Sequence, residues 1–177
     1  MKQIPKFNNP IKASLITYKN SLNNKIFDLN RRDNSANKFI YLRNKLNENH
    51  INLQTYDINL PEDSLLSIHW DVHKDVLKEK RSPINVLIVR ESPIINKDNN
   101  SIKYLNKFDL TLTWNKDLCD QNKIFWSGYG NSLKMLETDV KKIFEKKNKD
   151  LCTINSKKYS NNRYSLYGER EKALSLI

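Results

Sequence analysis

Glu91 is the side chain whose surroundings most suggest chemistry. It follows the apolar, largely β-branched run at residues 84–89 (INVLIV), within the turn Arg90-Glu91-Ser92-Pro93. Such a run reads as a strand of a parallel sheet buried on both faces. In open α/β sheets, ligands lie beyond the carboxyl ends of the strands. A carboxylate there, with Pro93 stiffening the turn, can accept a proton from a substrate hydroxyl. An Arg90–Glu91 surface turn without chemistry is the competing reading.

Arg163 stands just ahead of the last expected helix, with Tyr164, Leu166 and Tyr167 around it. A guanidinium beside the free backbone donors of a helix N-terminus suits a phosphate. In a basic chain it can equally be an ordinary solvated arginine. His69, Asp71 and His73 fall in one segment, SIHWDVH. Alternation along a strand would put all three on one face, as in some metal sites. Histidines beside a turn, flanked by Trp70 and Val72, more often hydrogen-bond locally, so no metal is expected. The glycines are Gly128, Gly130 and Gly168, and they form neither a GxGxxG nor a Walker loop. There is no GxSxG elbow, and neither Cys119 nor Cys152 lies in a nucleophile motif.

The elements that must position these residues follow from periodicity. Residues 11–18 (IKASLITY) read as a first strand, and an Asn-rich connection runs to Asn34. Phe39, Ile40, Leu42 and Leu46 recur at roughly helical spacing, predicting an amphipathic helix over 36–48 capped by Asn34 or Ser35. Strands are expected at 51–58, 65–69, 84–89, 109–114 (DLTLTW) and 150–155 (DLCTIN). Val72, Val76 and Leu77 suggest a helix, and residues 101–108 a helical turn or two. Leu133, Leu136, Val140, Ile143 and Phe144 mark the best helix, over 132–147, and residues 165–177 should form the last. Alternating strands and helices predict a three-layer α/β sandwich.

The chain has 177 residues, with Lys+Arg 31 against Asp+Glu 20 and a formal charge of +11. With 38% hydrophobic residues it can bury a core, which argues against disorder throughout. No apolar run approaches the roughly 20 residues of a membrane span, and residues 1–10 read as a frayed polar tail without a signal-peptide core. Two cysteines make no disulfide framework and suit a reducing, cytoplasmic setting. The lysines are scattered among asparagines and isoleucines along the whole chain, a solvated cationic surface rather than a nucleic-acid footprint. Nucleic acid is therefore a distant reading, supported by charge alone.

Two segments carry a family resemblance. RESPIINKDNNSIKYLNKFDLTLTWNKD resembles the acceptor-side core of the glycosyltransferase family 10 fucosyltransferases. There a strand ends in an E-S-P or E-P-P turn, followed by a short helix and a phrase close to FDLTLTYRRD. KDLCTINSKKYSNNRYSLYGEREKAL is similar to the block of that family with S-N, then R-x-x-x-Y and a leucine-rich helix. The two blocks keep family order and spacing over residues 84–174. The S-N step is loosened, with Ser160-Asn161 its nearer counterpart.

The resemblance implies a GT-B transferase with Rossmann-like domains that moves L-fucose from GDP-fucose to a glycan hydroxyl with inversion. Glu91 matches the proposed general base and Arg163 the arginine that neutralises the GDP phosphates. Tyr167 matches an aromatic read as packing. The substrate is GDP-fucose and no cofactor is implied.

On this reading, residues 11–148 form the acceptor-side domain and residues 149–177 begin a nucleotide-sugar domain. The downstream F-E-N-S and T-E-K donor motifs have no counterpart in the sequence, so a fucosyltransferase fragment with little activity alone is expected. Leu166, Leu174, Leu176 and Ile177 would then need another partner or remain exposed. A separate chain supplying the donor domain, or a non-catalytic glycan-binding module, are the alternatives. The location expected is cytoplasmic, with a peripheral place at the inner face of a membrane as the alternative.

Overall fold

The computed structural model describes residues 10–79, 81–128, 137–148, 158–162 and 165–176, of which 33, 78–79 and 137–140 are described by backbone alone. It divides into two units, Met1–Ser132 and Leu133–Ile177.

The first unit is built on one six-stranded sheet in which every pairing is parallel. The strands are β1 (Ile11–Ile16), β2 (Ile51–Thr55), β3 (Leu66–Trp70), β4 (Ile84–Ile88), β5 (Leu110–Thr113) and β6 (Ile124–Trp126), in the order β2-β1-β3-β4-β5-β6. Five strands were expected within this unit. The sixth, β6, has only three residues, too few for periodicity to show. It is launched by Asp120, whose Oδ1 accepts the backbone N–H groups of Asn122, Lys123 and Ile124 at 2.8–2.9 Å. These bonds hold the Asp120 carboxyl below its ordinary pKa.

Parallel strands bury both faces, and here each face has its own cluster. On one face Ala13, Leu15, Leu53 and Ile68 pack with Ile26, Phe27 and Phe39, the last carried by α1 (Asn37–Asn47). On the other, Leu87, Val89 and Ile124 pack with Leu77 of α2 (Lys74–Glu79), Leu105 of α3 (Ile102–Leu105) and Phe108. Helices on both sides of a parallel sheet make this a Rossmann-like three-layer α/β fold. Burying each large apolar side chain contributes about 1.5–3 kcal/mol.

The second face also holds a polar row. Ser14, Ser67 and Asn85 stand in register across β1, β3 and β4. Ser67 pairs with Ser82 through their hydroxyls, Ser82 Oγ donates to the Pro61 carbonyl at 2.7 Å, and Asn85 Nδ2 donates to the Ser82 carbonyl at 2.6 Å.

Two details differ from the expectations. β4 is not buried on both faces: Asn85 and Leu87 are covered, Val86 and Ile88 are half-buried, and Ile84 is 45% exposed. Among the described residues, α1 covers the β2-β1-β3 side of the first face and leaves β4 at its margin. α1 also lacks the expected cap. Its N-cap residue is Ala36 in helical geometry with no side-chain bond, because a short 3-10 turn, Arg32–Asn34, leads directly into it.

In the second unit, α4 (Glu137–Glu145) and α5 (Tyr167–Leu174) are the described helices. The strand expected at 150–155 lies outside the described residues.

Candidate functional site

The chain passes from β1 to its neighbour β2, then crosses back to place β3 on the other side of β1. At such a switch point the connections leave in opposite directions and open a crevice beyond the strands' carboxyl ends. The segments emerging there are Thr17-Tyr18, Asp71-Val72-His73 and Arg90-Glu91.

Asp71 organises them. β3 stops at Trp70 and Asp71 takes a left-handed φ of 68°, unusual for a residue with a Cβ. The turn carries its carboxylate inward, where the residue is 0% exposed. Oδ1 accepts the backbone N–H of Arg90 at 2.7 Å, that of Glu91 at 2.9 Å and Asn99 Nδ2 at 2.8 Å. Oδ2 accepts the Tyr18 hydroxyl at 3.0 Å. Four donors replace the water that a buried carboxylate would otherwise lose. Asn99, 1% exposed, also donates to the Glu91 carbonyl at 2.9 Å and accepts the Val72 N–H at 2.9 Å. Asn96 donates to the Val72 carbonyl at 3.0 Å. The turn after β4 is thus held at both backbone atoms of Glu91.

The Glu91 side chain is treated differently. It is half-buried, and among the described residues no donor or ion-pair partner reaches its carboxylate. A fixed backbone carrying an uncommitted carboxylate is the arrangement a proton acceptor needs before substrate arrives.

The groups around it are tuned by the same cluster. Burial, followed by the charge and hydrogen bond of Asp71 and the charge of Glu91, pushes the Tyr18 phenol well above its ordinary pKa. His73 packs edge-on against Tyr18, with centroids 4.9 Å apart, and its Nε2 donates to the Trp70 carbonyl at 2.9 Å. Burial lowers its pKa despite that bond. Arg90 reaches from the end of β4 to the loop after β6, donating to the Gly128 carbonyl at 2.8 Å and to Ser127 Oγ at 3.4 Å. A Cβ on Gly128 would stand 3.2 Å from the Trp126 ring, a contact the ring would have to ease by a small shift. Trp126 itself is 54% exposed, with the Lys116 ammonium 4.9 Å from its centroid.

The structure brings Glu91 to the crevice together with Tyr18, Asp71 and His73. Asp71 was noticed only as a member of a metal-spaced trio, and Tyr18, Asn96 and Asn99 carried no sequence signal. The trio does not share a strand face, because the chain turns at Asp71. His69 remains on the sheet, 1% exposed and edge-on to Phe108 at 4.9 Å, with neither ring nitrogen partnered among the described residues. Burial lowers its pKa to about 3, with smaller contributions from His73 and Arg81. Among the described residues no three His, Cys, Asp or Glu side chains group as metal ligands.

Arg163 lies outside the described residues. Tyr167 opens α5, half-buried, with the Arg170 guanidinium 5.9 Å from its ring.

Fold and site together define a Rossmann-like α/β domain that gathers Tyr18, Asp71, His73, Arg90 and Glu91 beyond the carboxyl ends of its parallel strands, beside the switch point. No family model, curated protein or solved structure matches the chain.

Proposed function

We propose that the chain provides the acceptor side of an inverting fucosyl transfer from GDP-fucose to a glycan hydroxyl. The observation that carries this reading is Glu91, fixed through its backbone by Asp71 and Asn99 while its carboxylate stays uncommitted at the crevice. The E-S-P and FDLTLTW resemblance adds the reaction class.

In the step envisaged, the Glu91 carboxylate takes the proton of the acceptor hydroxyl as that oxygen attacks the anomeric carbon of fucose. One C–O bond forms, the bond from that carbon to the diphosphate breaks, and GDP leaves with its electron pair. Arg163 would oppose the charge growing on the diphosphate. The rest of the nucleotide-sugar site would come from a further domain or a separate chain. Such a transferase would work in the cytoplasm or at the inner face of a membrane. Among the described residues no helix is long and apolar enough to cross a membrane.

A glycan-binding module without turnover is the second reading. It is favoured by the placement of Tyr18, Asp71, Glu91 and Gly128 within one unit, Met1–Ser132. Calorimetric titration with GDP and GDP-fucose, followed by a fucose-transfer assay, separates the two. Binding lost in Arg163→Ala, with turnover that falls by at least about 100-fold in Glu91→Gln, supports the transferase. Glycan binding without nucleotide binding supports the module. Absence of both rejects the acceptor-side reading.

A further inference from the structure

α4 presents large apolar side chains to solvent: Phe144 is 71% exposed and Ile143 46%. Neither is a strong helix former, and apolar area left in water is a cost that burial would remove. Lysines stand around them. Lys141, Lys142, Lys146 and Lys147 are all exposed, and among the described residues none has an ion-pair partner. At about 100° per residue, Lys141 stands about 60° beyond Phe144, and Lys146, just past the helix, about 60° before Ile143. These two flank the apolar side, while Lys142 and Glu145 fall on the far side. The Lys147 ammonium lies 5.8 Å from the Phe144 ring centroid and so reaches the same side.

Cations near a helix C-terminus also complement its dipole, which accounts for Lys142 but not for Phe144. α5 makes the contrast. It exposes Leu174 at 43%, but its Arg170 and Lys172 are matched by Glu169 and Glu171, and Lys172 pairs with Glu169 at 3.0 Å. Of the two described helices in this unit, α4 alone joins exposed apolar side chains to unpaired cations.

That combination suits the surface of a bilayer. The apolar side chains enter the boundary between headgroups and acyl chains, and long lysine stems carry their ammoniums up to anionic headgroups. A nucleic-acid backbone would use the lysines and leave Ile143 and Phe144 in water. Nine residues make a helix only about 14 Å long, which can lie on a bilayer but not cross it. The formal charge of +11 adds attraction to any negative surface.

We infer that α4 lies in the headgroup region of an anionic lipid bilayer, with Ile143 and Phe144 inserted and Lys141, Lys146 and Lys147 on the lipid phosphates. The inference stands apart from the sugar chemistry proposed at Glu91.

The test is sedimentation of the whole chain with vesicles of phosphatidylcholine alone, or of phosphatidylcholine mixed equally with phosphatidylglycerol, at low and high salt. Binding should appear on the mixed vesicles, fall with salt, and be about tenfold or more weaker on the neutral ones. Phe144→Ser should weaken it about tenfold or more, the scale of one large apolar side chain. The double variant Lys141→Gln/Lys146→Gln should do the same through charge alone. All three positions are exposed, so these variants should fold. Phe144→Trp should keep the binding and add tryptophan emission that moves to the blue on the vesicles. Absence of binding to either vesicle overturns the inference, and retention on single-stranded DNA or polyglutamate instead would assign the lysines to that partner. Binding unchanged in both loss variants overturns it by placing the contact elsewhere on the cationic surface. Binding lost with the lysines but kept in Phe144→Ser also overturns it, leaving charge without insertion.

Discussion

The carboxylate of Asp71 accepts the backbone N–H of Glu91 at 2.9 Å, across a sequence separation of 20 residues. One buried side chain thereby sets where another begins. The turn after β4 cannot shift without breaking bonds to Asp71 and Asn99, so the Glu91 side chain starts from a fixed point at the carboxyl edge of the sheet.

Asp71→Asn should therefore cost more than an ordinary polar substitution. An amide can keep its oxygen toward the three N–H donors and offer its NH2 to the Tyr18 hydroxyl, which reverses to accept, but the charge is gone. Losing the charge-assisted character of these bonds should lower the unfolding free energy by roughly 1.5–3 kcal/mol. Urea denaturation measures it; a loss below about 1 kcal/mol would deny Asp71 this role.

Tyr18→Phe removes one of the four donors and should destabilise by about 1–2 kcal/mol. In the intact protein, spectrophotometric titration of its eight tyrosines should leave one phenol un-ionised after the others have titrated. That lagging phenol should vanish in Tyr18→Phe and ionise at lower pH in Asp71→Asn. A titration identical in all three proteins would refute the Tyr18–Asp71 bond.

His69 gives the fold a definite acid sensitivity. Unfolded, it binds a proton below its ordinary pKa of 6.5; folded, it resists until about pH 3. Its contribution is thus fully present above pH 6.5 and is lost as pH falls toward 3. The slope is about 1.4 kcal/mol per pH unit for one proton. His69→Leu fills the same sheet position without orphaned nitrogens, and should flatten the stability profile between pH 6 and 4 by about that slope. An unchanged profile would mean that His69 is hydrated in solution.

Gly128→Ala tests the tie between β4 and β6. The added methyl meets the Trp126 ring at 3.2 Å, and this exposed ring can give way. The cost should stay within about 1 kcal/mol, whereas tryptophan emission should shift as Trp126 moves. Unaltered emission would show that the loop does not close on the ring.

Much of the sheet was legible because its strands are short apolar runs between turn residues, as with INVLIV and DLTLTW. The position of Glu91 was legible for the same reason: it follows such a run. Asp71 was not. Its importance comes from a left-handed turn that sends the carboxylate under residues 90 and 91, and single-residue backbone reversals leave no periodic trace. Asn99 was hidden in an Asn-rich stretch, where nothing local separates a buried amide from its exposed neighbours. β6 was missed because a carboxylate turn at Asp120, rather than hydrophobic alternation, defines it. The start of α1 at Asn37 lies one residue from the expected 36, but the cap expected at Asn34 or Ser35 is absent because the 3-10 turn Arg32–Asn34 feeds the helix directly.

The most direct test of the central claim is residue-resolved NMR of the labelled chain titrated with lactose and N-acetyllactosamine, in the wild type and in Glu91→Gln. Saturable shifts of the Tyr18, Asp71, Arg90 and Glu91 amides at millimolar ligand are predicted, with the Glu91 side-chain carbonyl shift lost in the variant. Shifts confined to other surfaces, or none at millimolar concentrations of either glycan, would contradict an acceptor site at the β1–β3 switch point.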